Sequence, residues 1–175
     1  PFDMAVIYGE TRMPESITGK PPRVGGLPGR REATGHGIAF VSIMGLQEIL
    51  RQVPERTTVA VQGFGNVGSY TALFLQEYGC KVQAVSDITG GFYNEKGLDV
   101  AEMFEYARLN GSLAGYDKGE AITNEDLLLL DVDVLCPCAL ENVIHAGNAA
   151  NIKAKMIVEG ANGPTTAEAD LVLKD

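Results

Sequence analysis

Apolar positions along this chain switch between two periods, and the switches predict an order of elements. Val59-Ala-Val61 is a short β-favouring run, suited to a strand buried on both faces. Val67, Ala72, Leu73, Phe74 and Leu75 then supply the apolar surface of a helix, which Gly79 closes. Lys81-Val-Gln-Ala-Val-Ser-Asp87 reads as a second strand ending in an acid. Upstream, Ile38, Val41, Met44 or Gly45, and Ile49 keep helical spacing from Glu32 to about Arg51. Ala39, Phe40, Ile43 and Leu46 fill its other faces, so the pattern predicts a largely buried helix. Thr34 lies near its start, where a hydroxyl caps N–H groups or meets a ligand, and Val53-Pro54 is the expected stop.

Downstream, Ile88 to Gly97 reads as a small hairpin or tight-turn insert, and Leu98 to Asn110 as an amphipathic helix. Ser112 to Gly119 is loop. Thr123 and Asp126 have capping-box spacing, with Asp in place of Glu. Val132 to Ala139 is a further buried strand, Glu141 to Asn151 a helix weakened by Gly147, and Lys155 to Glu159 another strand. Thr165 or Thr166 caps a last helix. Residues 1–30 are dense in Gly and Pro and read as irregular, with Phe2 to Tyr8 a short helix or an edge segment.

The first strand–helix junction carries Gly63, Gly65 and Gly68 in the pattern G-x-G-x-x-G. The first glycine permits the sharp turn, the second lets backbone approach a pyrophosphate, and the third lets helix and strand pack closely. The helix points its free N–H groups and positive dipole end at an anion. Asp87 follows Gly68 by 19 residues, close to where an acid grips adenosine ribose hydroxyls. Strand, glycines, helix, strand and acid in this order point to dinucleotide binding. Strands alternating with helices predict an α/β fold of the Rossmann type: a single doubly wound domain, residues 31–175, around a mostly parallel sheet. Residues 1–30 are expected to pack on it. The turns at Gly63–Gly68, Asp87, Cys138–Leu140 and Asn162 would share one edge of that sheet. Asp131 and Asp133 precede that edge and are expected to be solvated or capping.

Composition narrows the partners. The net charge of −9 makes the chain a poor candidate for a general nucleic-acid or anionic-membrane binder, and no apolar run approaches the roughly 20 residues of a membrane span. Arg23, Arg30 and Arg31 form a basic cluster that is either a solvated loop or a phosphate contact. Cys80, Cys136 and Cys138 are no disulfide framework and fit a reducing cytoplasm. Cys136-Pro-Cys138 lacks a second cluster to complete a metal site, so no metal is expected and the thiols read as buried apolar residues. His36 and His145 read as surface or packing residues. The start at Pro1, without Met or a signal peptide, suggests a piece of something longer.

Several segments together resemble the hexameric glutamate dehydrogenases, within the glutamate/leucine/phenylalanine/valine dehydrogenase group. They are Thr18-Gly-Lys-Pro21, Gly29-Arg-Arg-Glu-Ala-Thr-Gly35, Val59-Ala-Val-Gln-Gly-Phe-Gly-Asn-Val-Gly68, Ser86-Asp87 with Gly90-Gly-Phe-Tyr-Asn94, Ala139-Leu-Glu-Asn-Val-Ile144, and Glu159-Gly-Ala-Asn-Gly-Pro-Thr165. The resemblance implies the cofactor domain alone. The family's glycine-rich lysine motif and its Pro-Ala-Pro-Asp segment, which supply the catalytic Lys and Asp, are absent, so no catalytic residue is assigned. His36 stands where the family often has Arg. By motif, Gly63, Phe64, Gly65, Asn66, Val67 and Gly68 are implied at the pyrophosphate and Asp87 at the adenosine ribose. Thr34, Ala139, Asn142 and Asn162 are implied at the nicotinamide end. The implied cofactor is NAD, with NADP possible. The implied parent is a cytoplasmic homohexamer that interconverts L-glutamate with 2-oxoglutarate and ammonia. A stand-alone nucleotide-binding sensor and a methyltransferase are the rival readings. The Asn-Val-Gly helix start and the Asn162 motif argue against the methyltransferase.

Overall fold

The structure is a computed structural model and describes residues 19–174. The expectations for Phe2 to Tyr8 and for Thr18 lie outside the described residues. The chain divides between Ala33 and Thr34 into two units. In the first, Pro22–Val24 make a single 3-10 turn, which Gly25 closes at φ 84°. Arg23, Arg30 and Arg31 are exposed.

The second unit is built on six strands: β1 (Thr58–Gln62), β2 (Lys81–Asp87), β3 (Gly90–Tyr93), β4 (Glu120–Ile122), β5 (Val134–Pro137) and β6 (Met156–Ile157). Their spatial order is β4-β3-β2-β1-β5-β6. β2, β1, β5 and β6 run parallel, whereas β3 and β4 add an antiparallel edge. The chain leaves β1 for β2 on one side and later returns to place β5 on the other. The carboxyl ends of β1 and β5 therefore flank a topological switch point.

The helices are α1 (Ala33–Gly45), α2 (Asn66–Glu77), α3 (Val100–Asn110), α4 (Asn124–Leu128) and α5 (Ala167–Leu173). Side-chain alternation divides them between the two sheet faces. Val59 and Val61 join one core cluster with Ile38, Ala39, Ala72, Leu75, Val100 and Met103. Ala60 and Ala84 join a second cluster with Leu127, Leu128, Ile144 and Ala169. Both faces are covered, which is why these strands read as continuous apolar runs. α2 ends as its sequence predicts: Gly79, at φ 99°, donates to Gln76 O and Cys80 donates to Leu75 O, a Schellman closure.

Four points differ from expectation. α1 is not buried all round. Gly35, Ile38, Ala39 and Ser42 face the core, while Phe40 is 55% and Ile49 72% exposed, because helical spacing alone cannot say which of two apolar faces is covered. The helix ends near Arg51, as expected: its last turn opens to a π-turn at Leu46–Leu50, and Arg51 closes it at φ 53°. β4, just after the expected 112–119 loop, is unanticipated: it is a three-residue partner for the free edge of β3. Residues 141–151 are not helical. Asn142 turns left-handed at φ 56°, Ile144 bridges Thr165, and only Ala149–Asn151 form a 3-10 turn. Asp133 is 6% exposed rather than solvated. Its carboxylate accepts from Thr58 N–H (2.8 Å), Thr58 Oγ1 (3.0 Å) and Lys155 Nζ (2.7 Å), tying the amino-terminal ends of β1, β5 and β6. Asp131 is exposed, as expected.

Candidate functional site

The turn between β1 and α2 is shaped by three glycines with different constraints. Gly63 has φ 94°, and a Cβ there would lie 2.9 Å from the Ala139 Cβ. A Cβ on Gly68 would overlap the Gly63 carbonyl oxygen and lie 3.2 Å from the Cys138 Cβ. Gly65 differs: its φ is −78°, and a Cβ there would meet nothing within 4 Å. The fold therefore demands glycine at 63 and 68 and leaves open space above Gly65. α2 starts at Asn66 with no side-chain cap from Gly65, and its first internal bond runs from Ser69 N–H to Gly65 O. Gly65 and Asn66 are exposed, and Val67 is half-buried. The Phe64 ring is 7% exposed and belongs to the core, so only its backbone belongs to the turn.

The other predicted positions gather along the same sheet edge. Cys138 N–H donates to Gln62 O, which carries β5 into Ala139 against Gly63. Gly160 and Ala161 N–H both donate to Pro137 O, which holds exposed Asn162 beyond the end of β5. A Cβ on Gly160 would lie 2.5 Å from Cys138 Sγ and 2.9 Å from Ile38 Cδ1. Asn142 N–H donates to Gly163 O at 3.0 Å, so the two asparagine loops are tied together. Thr34 is exposed in the first turn of α1. The neighbouring Gly35 lies against Val67 O, Tyr70 and Thr71 of α2, with 2.6 Å to the Tyr70 Cβ for an added methyl.

Asp87 is half-buried and already engaged. Its Oδ1 accepts from Thr89 N–H (2.7 Å) and Thr89 Oγ1 (2.5 Å), and its Oδ2 accepts from Leu113 N–H (2.7 Å). Sequence reasoning missed what connects this acid to the glycine turn. Ser86 Oγ accepts from Gly63 N–H at 3.4 Å and donates to Asn124 Oδ1 at 2.7 Å, and Asn124 Nδ2 donates to Asp87 O at 3.1 Å. Ser86 could have been found as the one small hydroxyl in an apolar strand, whereas nothing local marks Asn124. Gln62, buried at the end of β1, has a carboxamide oxygen with no partner among the described residues.

The thiols are inert by environment. Burial, with Glu55 and Asp133 nearby, pushes Cys80 up to about 12. Burial pushes Cys138 up to about 12, partly offset by a hydrogen bond with Thr71, and Cys136 is raised by burial too. Two clefts, of about 440 and 320 Å3, open elsewhere, the first lined by Gln76, Lys81 and Lys96 and the second by Lys155, Glu159 and Asp170. Neither touches the glycine turn.

Residues 25–175 match the sequence model of the Glutamate/Leucine/Phenylalanine/Valine dehydrogenase family. The chain belongs to this family. Among curated members, it is 56% identical over 158 residues to a glutamate dehydrogenase of Thermotoga maritima, covering 90% of this chain and 38% of that protein. It is 47% identical over 175 residues to glutamate dehydrogenase A2 of Halobacterium salinarum, covering 99% and 42%. It is also 47% identical over 158 residues to an NADP-specific glutamate dehydrogenase of Saccharolobus shibatae, covering 90% and 37%. Among solved structures, the hetero-hexameric glutamate dehydrogenase of Thermus thermophilus in its Leu-bound form superposes with a TM-score of 0.82. That match has 32% identity and covers 99% of this chain and 40% of that one. This family member thus spans about two fifths of the length of the relatives it matches. Among the described residues no helix is long and apolar enough to cross a membrane.

Proposed function

We propose that residues 31–175 are the dinucleotide-binding domain of a glutamate dehydrogenase. One observation carries the reading: Gly65 is glycine where the fold does not need one. Open space over a bare backbone, at the start of a helix and beside the β1/β5 switch point, fits a pyrophosphate drawn in against amides. The backbone from Gly63 to Gly68, including Phe64, Asn66 and Val67, holds that group. Asp87 takes the adenosine ribose, and Thr34, Ala139, Asn142 and Asn162 line the nicotinamide end.

A bound dinucleotide would supply the hydride acceptor for the amino acid's α-carbon. This chain's residues orient the ring and exclude water from one side of it. Protons are handled by a Lys and an Asp that stand outside the motifs present here. The full reaction, L-glutamate to 2-oxoglutarate and ammonia, therefore belongs to a longer, cytoplasmic, hexameric protein without nucleic-acid or membrane partners. The Asp87 carboxylate opposes a 2′-phosphate, so NAD is favoured and NADP is accepted less well.

Titration calorimetry of the chain with NAD, NADP and S-adenosylmethionine tests this. Saturable one-to-one binding of NAD is expected, with no glutamate-dependent reduction of it. Heat from S-adenosylmethionine but none from NAD overturns the reading, and turnover by the chain alone overturns its partition from the catalytic half.

A further inference from the structure

We infer that Thr89, which no motif singled out, limits how the Asp87 carboxylate receives the ribose and so sets the margin between NAD and NADP. This rests on the dinucleotide reading above. An ionised carboxylate offers about four lone-pair sites, two on each oxygen. Three are taken by the protein: Thr89 N–H and Thr89 Oγ1 both donate to Oδ1, and Leu113 N–H donates to Oδ2. One site remains, on Oδ2. A ribose diol presents two hydroxyls and needs two acceptors to be held by both.

The carboxylate cannot turn to offer more. Leu113 is fully buried, so its N–H is fixed, and Asn124 Nδ2 holds the Asp87 carbonyl at 3.1 Å. Thr89 N–H is backbone and stays with the hairpin. The Thr89 hydroxyl is the one donor on this carboxylate that a substitution can remove without disturbing the fold, and Thr89 is exposed at the hairpin tip.

The consequence separates the two cofactors. NADP carries a phosphate in place of the 2′-hydroxyl, so its adenosine ribose asks Asp87 for one acceptor and finds one. NAD asks for two and finds one. Charge still favours NAD, but its advantage falls short by one hydrogen bond.

The test is titration calorimetry of the wild-type chain, Thr89→Ala and Thr89→Ser with NAD and with NADP. Thr89→Ala empties one site on Oδ1, so NAD is expected to bind about fivefold tighter, the size of one net hydrogen bond. NADP is expected to stay within about twofold, and Thr89→Ser, which keeps the hydroxyl, to match wild type with both. NAD affinity that is unchanged or weaker in Thr89→Ala overturns the inference, as does equal tightening of both cofactors. A wild-type chain that binds neither cofactor overturns the dinucleotide reading itself, which is a separate result.

Discussion

Removing the Asp133 carboxylate should destabilise the whole sheet, although this residue lies at the end opposite the glycine turn. In Asp133→Ala, the Thr58 N–H and hydroxyl lose their shared acceptor and Lys155 loses its partner. A donor left unpaired out of water costs roughly 1–3 kcal/mol, and the cavity of a missing carboxylate adds to that. Thr58 is half-buried, so water recovers part of the loss, and about 2–3 kcal/mol remains. At roughly 2–4 °C per kcal/mol for a chain of this size, Tm should fall by about 5–10 °C. Burial by itself pushes the Asp133 carboxyl up, but the bonds from Lys155, Thr58 and Gln52 outweigh it and hold the group below its ordinary value. A carboxyl lowered in the folded state binds fewer protons there than in the unfolded chain. Its contribution is therefore complete above a pH of about 4 and is lost as pH falls through the folded value. Asp133→Asn, which keeps the shape and one acceptor, should lose less at neutral pH and show a flatter acid limb than wild type. Thermal melts followed by circular dichroism from neutral pH down to about pH 3 measure both effects. An alanine variant melting within about 2 °C of wild type, or identical acid limbs for wild type and Asp133→Asn, would refute the reasoning.

The glycine turn offers a paired test. Gly65→Ala should fold with unchanged Tm, since its φ is ordinary and its Cβ meets nothing, yet it should weaken NAD binding by at least about tenfold in calorimetry by filling the space a phosphate needs. Gly68→Ala should lose stability as well as binding, because its Cβ overlaps the Gly63 carbonyl, and a normal melt for this variant would contradict the packing. The three thiols should resist a disulfide reagent at pH 8 in the folded chain and react together once guanidinium unfolds it, since burial keeps each of them protonated.

Local sequence carried the spine of this protein. β1, α2, β2, the Gly79 closure, the Thr123–Asp126 capping box and the Thr166 cap all depend on residues within a few positions of one another. The glycine turn was legible for the same reason. The failures share a different cause. Residues 141–151 have a helical apolar pattern, but Ile144 is claimed by Thr165, which lies 21 positions on. β4 has too few residues to show a period and exists because β3 has an unpaired edge. Asp133 looks like any acid before a strand until Thr58, 75 positions away, is brought beside it.

Asp87 marks the boundary between the two kinds of knowledge. That an acid stands at the end of the second strand, at the right interval from the glycines, is a property of chain order, because strand and helix lengths set where each residue emerges. How many of its lone pairs are spent is a property of the folded arrangement. Thr89 reaches it through a tight hairpin, and Leu113 reaches it from a loop 26 residues away. Hydrogen bonds are made by proximity in space, which residue spacing does not encode once the chain has turned back on itself. The same limit holds for α1, whose two apolar faces are equivalent on paper until the sheet covers one of them.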